Sequence, residues 1–394
     1  MANLLNYIDD CQFDSFYDQP LNRLDILALT EIAYLPFDQL APYAFSLAEA
    51  IRLDQLAVKF TQAFADGYPP LLMVTKERLK LLDKLSKSKR FKHIKVLGFV
   101  DDYDLDKQKQ FAALCYKVCR DTYLVSFRGT DDTIIGWKED FHMTYMAEIP
   151  AQKSASNYLS KLMDSLTGHF YISGHSKGGN LAVYASSQQT ADKQEHILKV
   201  LAFDAPGVHR SIIESDGFKA IESRIETIIP ENSIVGMMLE TPKGAHIVQS
   251  RAIGLLQHIT FSWEIENHDF KPAETLSGNS IQVDKTLKTW TANLSDEELK
   301  HFFDTFFGLF IEAGIHRFND ITKDTLQKIQ QLIANSQHLT SQEREMVDRL
   351  LLSLLDTRYQ IWKEDLLQNL AKPQEKIEEW LKPFFAEKKE EAEL

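Results

Sequence analysis

Across residues 1–92 the apolar positions recur mostly at helical spacing. Leu47, Ile51, Leu56, Phe60 and Phe64 form one run, and Leu79, Leu82 and Leu85 another. Pro36 and the pair Pro69-Pro70 interrupt these runs. From residue 93 the pattern changes to that of strands, and 93–100, 110–120 and 123–127 read as three of them. The short link Arg120-Asp121-Thr122 suits an antiparallel hairpin between the last two. A helix over 153–166 carries Tyr158, Leu159, Leu162, Met163 and Leu166 on one face. Residues 199–207 then give an apolar strand that breaks at Pro206-Gly207, with a short helix and the strand 225–230 behind it. Two more strand-like runs fall at 246–250 and 258–265. Strands that alternate with helices predict a largely parallel sheet with helices on both faces.

After residue 283 the strand pattern stops. Ser295 and Glu298 have capping-box spacing and open a helix rich in phenylalanine, with Phe302, Phe303, Phe306 and Phe310 in a stripe and Gly314 at its end. A stripe at this spacing reads as core, with contact to lipid or acyl chains as the alternative. Thr340 and Glu343 repeat the capping-box spacing before a helical run to Ala371. Pro373 and Pro383 interrupt the stretch beyond that run, and the charged segment 387–394 is expected to fray. The organisation expected is therefore a helical N-terminal part (1–92) packed on an α/β core (93–283), followed by an all-helical C-terminal region (284–394).

One stretch carries the chemistry. Residues 170–180 run from a short apolar strand through Gly174-His175-Ser176-Lys177-Gly178 into an Ala-rich helix. Gly-x-Ser-x-Gly between a strand and a helix is the nucleophile elbow of an α/β-hydrolase. The turn is too tight for a Cβ beside the serine, hence Gly174 and Gly178. At a helix N-terminus, backbone N–H groups and the helix dipole favour the negative charge that develops in acyl transfer.

Composition narrows the setting. With 394 residues, 44% of them apolar, the chain can bury a sizeable core. A formal net charge of -13 argues against nucleic acid as a partner and against a basic membrane-surface patch. The one basic cluster, residues 84–92, reads as a solvated helix end, with an anion-binding surface as the alternative. Three cysteines, Cys11, Cys115 and Cys119, suit a reducing compartment, and neither a metal site nor a disulfide framework is expected. The N-terminus lacks a signal-peptide pattern, and no apolar run is long enough to span a membrane, so the expected location is the cytoplasm. No cofactor is expected.

A serine nucleophile needs a neutral histidine, and that histidine needs a carboxylate to orient it. The chain order in this fold is serine, acid, histidine, so His246, His258 and His268 qualify as the base by position. His175, inside the elbow, reads as a packing residue.

Phe127-Arg128-Gly129-Thr130, then Trp137 and Asp140, then Gly174-His175-Ser176-Lys177-Gly178-Gly179 resemble the class 3 (fungal-type) lipase superfamily. Phe203-Asp204-Ala205-Pro206-Gly207 and residues 257–263 make the chain similar, within it, to the bacterial Mbeg-like group, known mainly as a domain of unknown function. The resemblance covers roughly residues 20–270 and leaves out the helical C-terminal region. It implies Ser176 as nucleophile, the N–H of Lys177 and Thr130 as the oxyanion hole, and His258 as base; His246 stays the alternative base by its position in the chain. Residues 131–141 occupy the lipase lid position. The sequence departs from the family in two places. Lipases carry the triad acid where this chain has Glu231-Asn232-Ser233, so the acid is Glu231 or Asp204, a triad through Asn232, or absent. Lys177 replaces an apolar residue. Either its charge faces the entrance and favours acidic or polar head groups, or it snorkels at the surface. Arg128 and Asp140 are expected to pair and fix the Thr130 loop. Asp204 also suits a turn-capping role.

The expected function is a serine hydrolase acting on an ester, thioester or related acyl bond of a small acyl or lipid-like substrate. The alternative is a degenerate α/β-hydrolase fold that serves as a binding or scaffold module.

Overall fold

The computed structural model describes residues 2–317 except 69–74, 105–106, 132, 144, 240–243, 253 and 278–294, and beyond these only residue 341. The proline pair at 69–70, the helical run beginning at Thr340 and the charged tail thus lie outside the described residues. The compact unit to which the described residues up to 317 belong runs from Met1 to Asn335.

Four helices come first: α1 (Leu4–Cys11), α2 (Arg23–Ile32), α3 (Leu53–Ala63) and α4 (Lys76–Lys87). The Asn22 side chain caps α2, accepting from the N–H groups of Leu24 at 2.9 Å and Asp25 at 3.0 Å, and Asp25 returns the bond to the Asn22 N–H at 3.0 Å. The sheet strands are β1 (Ile51–Arg52), β2 (Lys95–Asp104), β3 (Lys109–Cys119), β4 (Thr122–Phe127), β5 (His169–His175), β6 (Ile197–Phe203), β7 (Ile225–Pro230) and β8 (His246–Val248). They form one eight-stranded sheet in sequential order. β1 to β4 pair antiparallel, including the expected β3–β4 hairpin, and β4 to β8 pair parallel. This is an α/β-hydrolase architecture with a mostly parallel central sheet.

Sequential order has a consequence for the faces. Right-handed crossovers between neighbouring parallel strands that always step the same way put every connecting helix on one side. The connections here are α6 (Pro150–Ser165), α7 (Lys177–Ser187), α8 (Ala191–Glu195), α9 (Arg210–Ile213) and α10 (Asp216–Ile221). Leu159, Leu181 and Ile221 from α6, α7 and α10 share a core with Ala113, Cys115, Val125, Ile172 and Val200. The alternate residues Leu114, Tyr116, Leu124, Leu201 and Phe203 point to the other side and form a second core with Leu27, Leu56 and Leu85 of α2 to α4. Helices do cover both faces, one of them through the N-terminal helices, with Phe261, Trp263 and Phe270 packed beside them. Cys11 and Cys115 are buried and Cys119 exposed, all three as free thiols.

The segment 258–265 departs from the strand expected there. It holds 3-10 turns at Gly254–His258 and Thr260–Ser262 and only the first residue of a two-residue strand, β9 (Ile265–Glu266), which pairs with β10 (Asp269–Phe270) in a separate hairpin. Apolar spacing there serves a turn: the Trp263 indole N–H donates to the Gln257 carbonyl at 2.7 Å and locks the loop that carries His258. The basic cluster at 84–92 contains one exception to a solvated end. Arg90 is buried and pairs with the buried Asp25 of α2 at 2.5 Å.

Two further helices bear on the site. α5 (Ile134–His142) follows the loop after β4, and α11 (Asp296–Glu312) packs on it. The capping box at Ser295 is present, with the Ser295 N–H on Glu298 Oε2 at 2.7 Å and the Glu298 N–H on Ser295 Oγ at 3.2 Å. Gly314 ends α11 at φ +80°, with its N–H on the Ile311 carbonyl at 2.9 Å and that of Ile315 on Phe310 at 2.8 Å, a Schellman closure. The phenylalanine stripe is core: Phe302, Phe303, Phe306 and Phe310 are buried. The Phe303 ring lies 4.8 Å from that of Phe141, and Lys138 pairs with Asp304 at 2.6 Å.

Candidate active site

Ser176 sits at the turn between β5 and α7 with φ 59° and ψ -136°. A non-glycine residue in that region costs about 1–3 kcal/mol and persists only where its surroundings impose it. Here they do. A Cβ on Gly174 would lie 2.1 Å from the Gly178 carbonyl oxygen, and one on Gly178 would lie 2.1 Å from that of Phe127. The Ser176 N–H is fixed on the Phe203 carbonyl at 2.9 Å, which ties the elbow to the end of β6.

Asp204 is the next residue after β6, fully buried and with φ 40°. Its Oδ2 lies 2.6 Å from His258 Nδ1. Its Oδ1 accepts the Ser233 hydroxyl and, at 3.2 Å, the Gly236 N–H. A carboxylate accepts, so Nδ1 of His258 carries a proton, and in the neutral ring Nε2 is the acceptor a serine hydroxyl needs. Of residues 231–233, Ser233 thus contributes its hydroxyl to a carboxylate one strand earlier.

The other sequence candidates lie apart from this pair. Glu231 follows β7, with its N–H on the Val248 carbonyl at 3.0 Å, and no contact among the described residues joins its carboxylate to His258. His246 opens the edge strand β8, its Nε2 3.4 Å from the Arg23 guanidinium. His268 lies in the β9–β10 turn against the Tyr7 ring at 5.9 Å.

His175 packs against His258. Its Nε2 donates to the His258 carbonyl at 3.0 Å, and its Nδ1 lies 3.0 Å from the Tyr34 hydroxyl. The two imidazole rings are 4.4 Å apart. Burial holds the His175 imidazole well below its usual range, and the charges of His258 and Arg78 push the same way. It is therefore a neutral ring with both nitrogens engaged. Behind it, Glu31 accepts the Thr260 hydroxyl at 2.8 Å and pairs with Arg78, which stacks 3.9 Å over the Tyr34 ring. Sequence reasoning missed Tyr34, Glu31 and Arg78. The available signal was an acid in the apolar run of α2, a position where an unpaired charge is too costly to bury.

Thr130 follows β4, and its hydroxyl donates to Asp140 of α5. The expected Arg128–Asp140 pair does not form. Arg128 instead holds Asp101 of β2 through two bonds at 2.7 and 2.8 Å. Asp140 Oδ2 takes the Thr130 hydroxyl instead. Both surface readings of Lys177 are also corrected. The side chain is fully buried, and its Nζ lies 3.0 Å from Glu139 Oε2. The first turn of α7 brings that side chain against Glu139 of α5 and Gln110 of β3.

A family model described as Mbeg1-like matches residues 85–308. Among solved structures, the crystal structure of M37 lipase aligns at 15% identity with a TM-score of 0.34, over 54% of this chain and 69% of that one. The lipase from Rhizopus microsporus var. chinensis aligns at 13% identity with a TM-score of 0.34, over 71% and 87%. No curated protein matches in sequence. The α/β-hydrolase architecture stands on the sheet order and on the strand–turn–helix at Ser176, independently of these alignments.

Proposed function

The chain belongs to the Mbeg1-like family, and we propose that it is a serine hydrolase that cleaves an ester, thioester or related acyl bond. The single observation that carries this is the 2.6 Å contact between Asp204 and His258 beside a strained serine elbow. In this reading His258 Nε2 takes the Ser176 proton as Oγ attacks the acyl carbon. Asp204 holds the imidazole in its tautomer and stabilises the imidazolium. The N–H groups of Lys177 and Thr130 receive the oxyanion. His258 then protonates the leaving group, and water attacks the acyl-enzyme by the same route. The substrate is a small acyl or lipid-like molecule.

The competing scaffold reading drew its force from the missing acid at residues 231–233. Asp204 takes that force away, because it offers a carboxylate from the preceding strand. Wild-type protein is expected to take a fluorophosphonate label and to turn over p-nitrophenyl esters, and Ser176→Ala to do neither. A folded wild type that stays unlabelled would overturn the enzyme reading and return the scaffold to favour.

A further inference from the structure

The residue after the nucleophile has a side chain that the proposed chemistry does not use. The Lys177 ammonium donates to the Gln110 carbonyl at 3.1 Å, to Gln110 Oε1 at 2.8 Å and to Glu139 Oε2 at 3.0 Å, which fills its three donors. Glu139 is filled as well, accepting the N–H groups of Gln110 at 3.1 Å and Ala151 at 3.0 Å. Asp140 is not. Its Oδ2 takes the Thr130 hydroxyl, while its Oδ1 is buried without a hydrogen bond and faces the ammonium at 3.8 Å. One buried cation therefore stands against two adjacent carboxylates.

We propose that Lys177 is a positioning residue for the oxyanion hole: its ammonium holds Glu139 and Asp140 of α5 under the nucleophile helix, and Asp140 in turn holds Thr130 beside Ser176. The inference rests on the oxyanion role proposed for Thr130. An ion pair kept for stability alone is a poor account of the arrangement. Buried pairs are often replaced by apolar residues at no cost, and a second carboxylate only adds to the charge that must be buried. The path instead begins at the residue next to the nucleophile and ends at the residue next to the oxyanion.

The groups facing Asp140 are Lys177 from α7, Glu139 from α5, Thr130 from the loop after β4 and His258 from the Gly254–His258 turn. Burial pushes the Asp140 carboxyl up to about 6; Lys177, the Thr130 hydroxyl and His258 pull it down, and Glu139 pushes it further up. Removing the ammonium raises it. Protonation would then weaken the grip on Thr130 at a higher pH.

The test is the fluorophosphonate labelling rate across pH, with thermal unfolding, for wild type, Lys177→Met, Lys177→Met/Glu139→Gln and Asp140→Asn. The paired variant leaves neither residue of the pair as a lone charge, and Asp140→Asn keeps the Lys177–Glu139 pair, so the test stands if Lys177→Met does not fold. The paired variant is expected to recover the unfolding temperature but to label about a hundredfold more slowly than wild type, the scale of a misplaced group. Its acid limb should lie at higher pH. Asp140→Asn should lose rate while it stays folded. A paired variant or Asp140→Asn that labels at the wild-type rate overturns the inference and leaves the hydrolase reading intact. A wild type that takes no label sinks both.

Discussion

Asp204 and His258 meet because two local constraints agree. The backbone of Asp204 turns at φ 40° directly after β6, which aspartate tolerates better than most residues. Ser233 and Gly236, from the loop after β7, then fix its other oxygen. This arrangement predicts that Asp204→Asn, which keeps the size but allows the wrong imidazole tautomer, lowers turnover by about 10³–10⁴-fold. Glu231→Gln should leave it within a factor of a few. His258→Ala should abolish turnover, whereas His246→Ala, which breaks only a surface contact, should not. Ester hydrolysis by the four purified variants checks this, and a large loss in Glu231→Gln with none in Asp204→Asn would reverse the assignment. At this scale the sequence named both carboxylates but could not choose between them. The choice depends on which strand end faces the histidine, and that is a contact between residues 54 apart in the chain.

The contacts of helix α5 tie it down on two sides. Glu139 and Asp140 reach inward to Lys177 and Thr130. Phe141 meets Phe303 and Phe307 of α11, at 4.8 and 5.7 Å between rings. The Ile134 N–H bonds the His316 carbonyl at 2.9 Å just past α11. Phe303→Ala should therefore destabilise the protein by about 3–5 kcal/mol, as expected for a buried aromatic. Ile311→Ala, at a side chain 39% exposed on the same helix, should cost under about 1 kcal/mol. Denaturant midpoints at unchanged slope measure both. A neutral Phe303→Ala would mean that the stripe does not fasten α5. The existence and both ends of α11 were legible, because a capping box and a C-terminal glycine are local chemistry. Its partner was not, since a stripe of phenylalanines looks the same whether it faces protein or an acyl chain.

For the molecule as a whole, the sheet order makes the N-terminal helices indispensable. The crossover helices pack on one face, and the apolar residues of the other face are covered by α1 to α4 together with Phe261, Trp263 and Phe270 from the segment after β8. A chain that begins at residue 93 would expose Leu114, Tyr116, Leu124 and Leu201 together, a patch of the kind that drives association. We expect this truncation to aggregate or to lose its cooperative thermal transition. A soluble, cooperatively unfolding fragment would mean that residues 1–92 are a separable domain.

Local sequence determined the elbow, the alternation that divides the sheet residues between two cores, and the caps of α11. Each of these is set by neighbours within a few residues, through backbone geometry or side-chain period. The tertiary structure alone decided which carboxylate meets His258, that Arg128 binds Asp101 and leaves Asp140 to Thr130, and that Lys177 is buried. A charged side chain carries no local mark of its partner. Whether it ends in water or against a carboxylate depends on which distant element packs over it, and for Lys177 that element is α5.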